Sequence, residues 1–525
     1  MIRRRRFIAG MLGAAGASVL DAGLWPMAWA DAAATNELVQ RLADDPRRPQ
    51  FHLLPAANWM NDPNGPIYFN GKYHMFYQYN PHGAVWGDMH WGHAVSADMI
   101  HWRHMPVALA PTPGGPDSEG CFSGTAIVQD GRVAFVYTGV RTVPKEQATL
   151  DDGVNAFRES QCLAIANDAS LSSFTKVSQP VIAAPPAGMK VTGFRDPSPW
   201  KQAPWRQGDD YYMVVGSGVK GQGGAVLLYR SKDLREWEFL RVVAGGQASG
   251  TDASNPVDSG DMWECPDLFA LGGKHVLIYS TVGKARWQSG ELDAKEMIFH
   301  PEKSGTLDMG SFYAPKTQLD RAGRRILWGW IPETRPVEEY KAAGWAGMMS
   351  LPRVLTLAND GQLRVDVAAE FSRLRRNKQA LTLTQNETEN QRQICGLRLR
   401  QCCAELLISV RKSNGAFEVS LGEFAADGRG WLSLKIDPLN SGQISIDSFP
   451  IDVSLANAET VEIHLYVDGS AIEAFVNGQA AYTKRFYYSS SQAPDAGLKW
   501  TGNTAGIASI SAWQLTPISS DRLTT

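Results

Sequence analysis

Five segments between residues 61 and 330 repeat one pattern: a short run of β-formers, a tight turn, and a second run of β-formers. The first leads from Asn61-Asp62-Pro63-Asn64-Gly65 into Pro66-Ile67-Tyr68-Phe69, turns at Asn70-Gly71 and returns through Tyr73-His74-Met75-Phe76-Tyr77. The second begins Phe122-Ser123-Gly124 and turns at Asp130-Gly131; the third begins Arg195-Asp196-Pro197 and returns through Tyr211-Tyr212-Met213. The fourth begins Glu264-Cys265-Pro266 and turns at Gly272-Gly273; the fifth begins Tyr313-Ala314-Pro315 and returns through Arg325 to Trp330. Two-residue turns of this composition close β-hairpins. A further echo, Ser96-Ala97-Asp98 before Trp102 and Ser231-Lys232-Asp233 before Trp237, follows another strand in two units, so a unit is about four strands long. Five such units predict an all-β chain built on a five-bladed β-propeller over residues 50–353.

That fold would bring together residues far apart in sequence. Asp62, Asp196 and Glu264 stand near the starts of units one, three and four, at spacings of 134 and 68 residues, close to two blades and one. Innermost strands converge on a propeller's axis, so the three carboxyl groups are expected at one end of the central channel. Paired carboxyl groups are the usual apparatus of glycosidic bond cleavage, one attacking the anomeric carbon or helping water to do so, the other protonating the leaving oxygen. Asp62 precedes a rigid Pro63-Asn64-Gly65 turn, where backbone N–H groups are expected to hold it ionised. Arg195 is expected to do the same for Asp196. Glu264, between Trp263 and Cys265-Pro266, sits in an apolar stretch, and apolar surroundings favour the proton-donating form of a carboxyl.

Beyond Arg353 the pattern changes. Val367, Phe371 and Leu374 at i, i+4, i+7 predict a short amphipathic helix in a linker over 354–377. From 378 to 525, alternating runs such as Phe417-Val419-Leu421 and Val461-Ile463-Leu465, with turns at Asn414-Gly415, Asp427-Gly428, Asp468-Gly469 and Asn477-Gly478, predict a C-terminal β-sandwich.

The first 30 residues read as an export signal. Arg3-Arg4-Arg5-Arg6-Phe7-Ile8 precedes an apolar run from Ala9 to Leu20, and Ala28-Trp29-Ala30 supplies a cleavage site. Arg4-Arg5-x-Phe7-Ile8 resembles a twin-arginine signal, whose cargo crosses the membrane folded, and predicts a periplasmic or secreted protein. Residues 31–49 are then a lead segment, and no later stretch is apolar enough to span a bilayer as a helix. The net charge of −3, −6 without the first 30 residues, offers no basic field for nucleic acid. Six sparse cysteines without a C-x-x-C pair indicate neither a disulfide framework nor a zinc site, and neither a metal nor another cofactor is expected. Gly216-Ser217-Gly218-Val219-Lys220-Gly221 matches G-x-G-x-x-G, but a strand follows it, so it reads as a hairpin loop. Glu473 reads as a residue of the sandwich surface.

Five motifs together carry a family resemblance. Trp59-Met60-Asn61-Asp62-Pro63-Asn64-Gly65, Trp91-Gly92-His93-Ala94-Val95-Ser96, Phe122-Ser123-Gly124, Phe194-Arg195-Asp196-Pro197 and Trp263-Glu264-Cys265-Pro266 resemble glycoside hydrolase family 32, the invertases, levanases, inulinases and related β-fructofuranosidases. Tyr313-Ala314-Pro315 and the stretch from Val467 to Asn477 resemble its fifth blade and its C-terminal sandwich. The resemblance implies that Asp62 is the nucleophile, Glu264 the acid/base and Asp196 a transition-state stabiliser. It implies substrate contacts from Asn61, Gln78, Trp86, Phe122, Ser123, Arg195 and Trp330, with Trp328 an alternative to the last. The activity implied is release of fructose from sucrose, levan or inulin through a fructosyl-enzyme, with retention. A fructosyltransferase would use the same acids; a fructan-binding propeller without activity would not need them. Intracellular members act on phosphorylated sucrose, which an exported protein would not meet.

Overall fold

The computed structural model describes residues 32–519 apart from 152–155, 202–209, 247–261, 294, 413–414, 424–429, 438–442, 452 and 454–458; the expected export signal and the turn at Asp427-Gly428 lie outside the described residues. Five antiparallel sheets succeed one another along the chain, each starting from an innermost strand: Asn58–Phe69, Gly120–Gln129, Val191–Lys201, Glu264–Leu271 and Tyr313–Leu319. These are the five blades. The chain closes the ring by returning Trp345–Ala346 to pair, in parallel, with Asn58–Trp59 of the first blade. The G-x-G-x-x-G stretch is the hairpin between strands Tyr211–Val219 and Gly223–Ser231, as expected.

The expected boundary at 353 needs correction. Arg353–Leu357 and Leu363–Val367 are strands of the fifth blade, so the propeller runs through Val367. The expected linker over 354–377 shrinks to a 3-10 helix, Ala369–Leu374, and strand Arg375–Ala380 already belongs to the sandwich. Val367 fitted a helical stripe only by spacing; in the fold it ends a strand whose buried residues alternate, Leu363 and Val365 facing in. The expected lead segment carries a helix, Ala32–Asp44. The sandwich itself is two six-stranded sheets. Among the described residues, no helix is long and apolar enough to cross a membrane.

Propeller and sandwich share a continuous apolar core. Phe269, Phe312 and Leu355 of the propeller and Phe371 and Leu374 of the connecting turn pack with Tyr466, Phe475 and Leu515 of the sandwich. Within this contact lies a buried polar cluster. Glu473, expected on the surface, is fully buried: Oε2 accepts Arg353 Nη2 at 2.6 Å, Oε1 accepts the Leu351 N–H at 2.7 Å and lies 3.0 Å from His52 Nε2. Asp468 accepts the N–H groups of Gln50, Phe51 and His52 and lies 2.7 Å from His52 Nδ1. Alternation alone could not distinguish a sandwich face turned to water from one turned to a second domain.

Candidate active site

Each innermost strand carries one extra residue at the motif that opens its repeat. Partner residues skip from Met60 to Pro63, Phe122 to Gly124, Arg195 to Ser198, Glu264 to Asp267 and Tyr313 to Lys316. A bulge of this kind bends the strand and re-aims side chains. In blades three, four and five the second residue of the motif takes left-handed backbone: Asp196 at φ 64°, Cys265 at 49° and Ala314 at 50°. Non-glycine residues in that region store strain, characteristic of functional sites. The following proline in each case, Pro197, Pro266 and Pro315, needs no ladder hydrogen bond where the bulge has opened the ladder.

The register also corrects the simple picture of three matching acids. Arg195, Glu264 and Tyr313 occupy matching positions in blades three to five, and Asp196 matches Cys265 and Ala314. Glu264 therefore stands one residue earlier than Asp196 in its blade, and neighbouring matched residues touch across the channel. Arg195 Nη2 donates to Glu264 Oε1 at 2.5 Å, and the Cys265 N–H donates to Asp196 Oδ2 at 2.8 Å.

These strands converge on a funnel. Its lining contains all ten residues singled out from the sequence: Asp62, Asp196 and Glu264, with Asn61, Gln78, Trp86, Phe122, Ser123, Arg195 and Trp330. Met89, Cys265 and Tyr313 complete it. Of the two candidate tryptophans, Trp330 faces the funnel, whereas Trp328 is buried against Trp102, with ring centroids 5.6 Å apart. Trp59 stacks obliquely behind Trp330 at 5.9 Å, and Trp86 meets Phe122 edge to face at 5.9 Å, so one part of the wall is aromatic.

The carboxyl environments differ from those expected. Asp62 is held by side chains: Ser123 Oγ donates to Oδ2 at 2.6 Å and Asn61 Nδ2 to Oδ1 at 3.0 Å, Asn61 being fixed in turn by Trp59 Nε1 at 2.7 Å. Burial and then the charge of Asp196 push the Asp62 carboxyl up to about 6, against the pull of Ser123 and Asn61. Arg195, expected to serve Asp196, still attracts it by charge but makes its hydrogen bonds elsewhere. Its guanidinium lies between Glu264 and Glu159, Nη1 donating to Glu159 Oε1 at 3.0 Å. Glu264 consequently lies among polar partners, not in the apolar surroundings its sequence neighbours suggested. Its Oε1 takes Arg195 and its Oε2 takes the Tyr313 hydroxyl at 2.6 Å. A strand alternates faces, so chain neighbours are poor guides to spatial ones.

Asp196 is fixed through its backbone. Its N–H donates to Thr138 Oγ1 at 2.9 Å, that hydroxyl to Gln161 Oε1 at 3.0 Å, and Gln161 Nε2 to the Phe194 carbonyl at 2.8 Å. Blade two thus pins the strained turn of blade three. Cys265 Sγ lies 3.5 Å from Asp196 Oδ2 and 3.7 Å from Asp62 Oδ2. Burial and both carboxylates push its thiol well up, which leaves a neutral S–H between two acids. Nothing in the sequence marked Cys265, Tyr313 or Glu159 as site groups, although the first two lie inside recognised motifs.

A propeller funnel with carboxyl groups from three blades and an aromatic wall is the site of a carbohydrate-active hydrolase. Residues 52–366 match the glycosyl hydrolases family 32 N-terminal domain and residues 356–514 the family's C-terminal domain, and the chain belongs to this family of glycoside hydrolases. It is 36 % identical over 461 residues to a sucrose-6-phosphate hydrolase of Escherichia coli, covering 84 % of this chain and 89 % of the relative. It is 35 % identical over 472 residues to a raffinose invertase of Escherichia coli, covering 84 % and 89 %. Among solved structures, a Bombyx mori GH32 beta-fructofuranosidase superposes with TM-score 0.70 at 28 % identity over 93 % of this chain and 99 % of that one. Fructan 1-exohydrolase IIa from Cichorium intybus superposes with TM-score 0.71 at 26 % identity, over 90 % and 98 %.

Proposed function

We propose that this glycoside hydrolase is an exported, retaining β-fructofuranosidase acting on unphosphorylated sucrose or fructans. The observation that carries the reading is the contrast between two carboxyl groups in one funnel. Asp62 has both oxygens held by Ser123 and Asn61, a fixed carboxylate aimed as a nucleophile. Glu264 lies between the Arg195 cation and the Tyr313 phenol. In this reading Asp62 attacks the anomeric carbon of fructose as Glu264 gives its proton to the leaving oxygen, and the C–O bond breaks. Glu264 then takes a proton from water, whose oxygen displaces Asp62 from the ester. Asp196 grips fructose hydroxyls through the oxygen that Cys265 does not hold, and Asn61 and Gln78 line the same subsite.

Two arguments support an unphosphorylated substrate. Arg195 is the single cation among the described residues lining the funnel, and its donors are taken by Glu159 and Glu264. Among the described lining residues, no cation is then left to receive a substrate phosphate. The twin-arginine-like start would also send the protein away from sugars phosphorylated on uptake. The relatives named above include enzymes for both phosphorylated and plain sugars, so family membership alone does not choose.

The test is turnover of sucrose, sucrose 6-phosphate, inulin and levan compared side by side, with the first-released fructose anomer read by NMR. Higher kcat/KM for sucrose 6-phosphate would overturn the substrate reading. Early α anomer would show inversion and remove Asp62 as nucleophile. Fructose transferred to sugar rather than to water, at low sucrose, would make the protein a transferase. For export, Arg4→Lys with Arg5→Lys should retain precursor in the cytoplasm; unchanged export would exclude the twin-arginine route.

A further inference from the structure

Glu159 is a fully buried carboxylate that takes no part in the steps above. It comes from the third strand of blade two, Ala156–Ala166, and reaches across to blade three. Oε1 accepts Arg195 Nη1 at 3.0 Å; Oε2 accepts the Phe194 N–H at 2.6 Å and the Thr149 hydroxyl at 3.3 Å. The opposite end of the same guanidinium, Nε and Nη2, lies on Glu264 Oε1 at 3.2 and 2.5 Å. Arg195 is thus strung between one carboxyl inside the funnel and one sealed outside it. Gly193 leaves room for this arrangement: a Cβ there would stand 2.7 Å from Arg195 Nη1 and overlap Met262 Sδ.

A buried guanidinium with one carboxylate partner makes a neutral pair; with two it leaves one negative charge too many. The funnel already holds Asp62 and Asp196 as acids. If Glu264 were the sole partner of Arg195, the cation would hold it ionised, and an ionised Glu264 has no proton to give. With Glu159 opposite, Arg195 has a second carboxyl partner outside the funnel. We propose that Glu159 is a positioning residue for the reaction: it orients and charge-balances Arg195 so that Glu264 can carry and deliver a proton. The proposal rests on Glu264 being the acid/base. Besides Arg195, the groups facing Glu264 are Tyr313 from blade five, Asp62 from blade one and Cys265 from its own strand. Lys316, whose Nζ donates to the Pro266 carbonyl at 3.3 Å, lies nearby. None of these touches Glu159. The plainer alternative is that Glu159 only ties blade two to blade three.

Glu159→Gln separates the two. For sucrose, the alkaline limb of the kcat/KM profile should move to lower pH by roughly 1 unit, the size of effect that one unbalanced neighbouring charge produces. For β-fructofuranosyl fluoride, whose leaving group needs no proton, the profile above neutral pH should stay in place. A structural tie alone would lower the melting temperature and leave both limbs unmoved, which would overturn the proposal. Equal displacement with both substrates would overturn it too. Should the Gln variant not fold, Glu159→Asp takes its place. One methylene shorter, it keeps the charge but withdraws it from Arg195, and a smaller displacement in the same direction is expected; an unmoved limb there is fatal to the proposal. Glu264→Gln, assayed alongside, separates the proposal from its premise. If that variant loses both substrates equally, the acid role fails and this inference with it. If it loses sucrose selectively while the Glu159 variants leave the limb in place, only the role of Glu159 fails.

Discussion

Ser123 of blade two donates its hydroxyl to Asp62 of blade one across 2.6 Å, the shortest link between the two bulges. A bond to the ionised form opposes burial and Asp196, which together push Asp62 up to about 6. The acid limb of kcat/KM for sucrose should therefore lie near pH 6, reported by the carboxyl cluster as a unit. In Ser123→Ala the limb should move to higher pH. A hydrogen bond to a charged group is worth roughly 1.5–3 kcal/mol, about 1–2 pH units, so the limb should move to about pH 7–8 and kcat/KM at pH 7 should fall roughly 2- to 10-fold. A pH–rate series on both proteins checks it, and a limb unmoved by the substitution would show that Ser123 does not tune Asp62.

Asp62→Asn should abolish turnover, since an amide cannot form the fructosyl ester. It should also stabilise the protein at neutral pH. The folded carboxyl titrates at about 6 and its unperturbed value is 3.8, so folding is favoured by this group below 3.8 and that advantage is lost as pH rises through 6. At full burial the difference corresponds to about 3 kcal/mol; solvent at the mouth of the funnel reduces it. The variant should melt at a higher temperature than wild type at pH 7, with the gap closing towards pH 4. A lower melting temperature at pH 7 would mean that the hydrogen bonds lost outweigh the repulsion relieved.

Glu264→Gln should slow sucrose hydrolysis by roughly 10²- to 10⁴-fold, the range of general acid catalysis. An activated leaving group should recover most of the loss in the first step. Stopped-flow measurement of leaving-group release separates that step from hydrolysis of the ester. Equal losses on both substrates would contradict proton donation by Glu264.

The repeat made the propeller legible because each blade announces itself twice, by a hairpin turn and by an opening motif. Those same motifs carried the funnel: two adjacent residues per blade, aimed by one bulge, cannot be displaced without losing the strand. What stayed hidden had no local signature. Glu159 lies in a strand buried on both faces from Glu159 to Ala164, and only the neighbouring blade gives it meaning. Arg195 hydrogen-bonds Glu264 rather than its chain neighbour Asp196, because matched positions of adjacent blades meet while successive residues diverge. Val367 fitted two periodicities at once, and pairing across the sheet, invisible in one strand's sequence, decided between them. Glu473 looked like a polar face turned to water because the partner covering it is a domain more than 100 residues away.

That buried contact yields the last prediction. His52 sits fully buried between Asp468 and Glu473, which also bind Arg353 and the backbone of residues 50–52 and 351. Burial disfavours a charged imidazole, but the hydrogen bonds and charges of Asp468 and Glu473 outweigh it and raise His52 from 6.5 to about 9. A folded value above the unfolded one means that this group's stabilisation is complete below pH 6.5 and disappears as pH rises through 9. The melting temperature should therefore fall between about pH 6.5 and pH 9 and level off above, a fall that His52→Phe abolishes. That substitution leaves the buried Asp468 carboxylate without its cation while Glu473 keeps Arg353, a loss of roughly 3–5 kcal/mol at neutral pH. None of the described sandwich residues lines the funnel, so kcat on sucrose should be unchanged in whatever fraction remains folded. Deleting residues from about 370 onward removes both acids at once and uncovers Phe269, Phe312 and Leu355, and the truncated chain should aggregate. Differential scanning calorimetry from pH 6 to pH 10.5 on wild type and His52→Phe decides the matter. A wild-type melting temperature flat through pH 9 would show that the imidazole between the two domains is not charged in the folded protein.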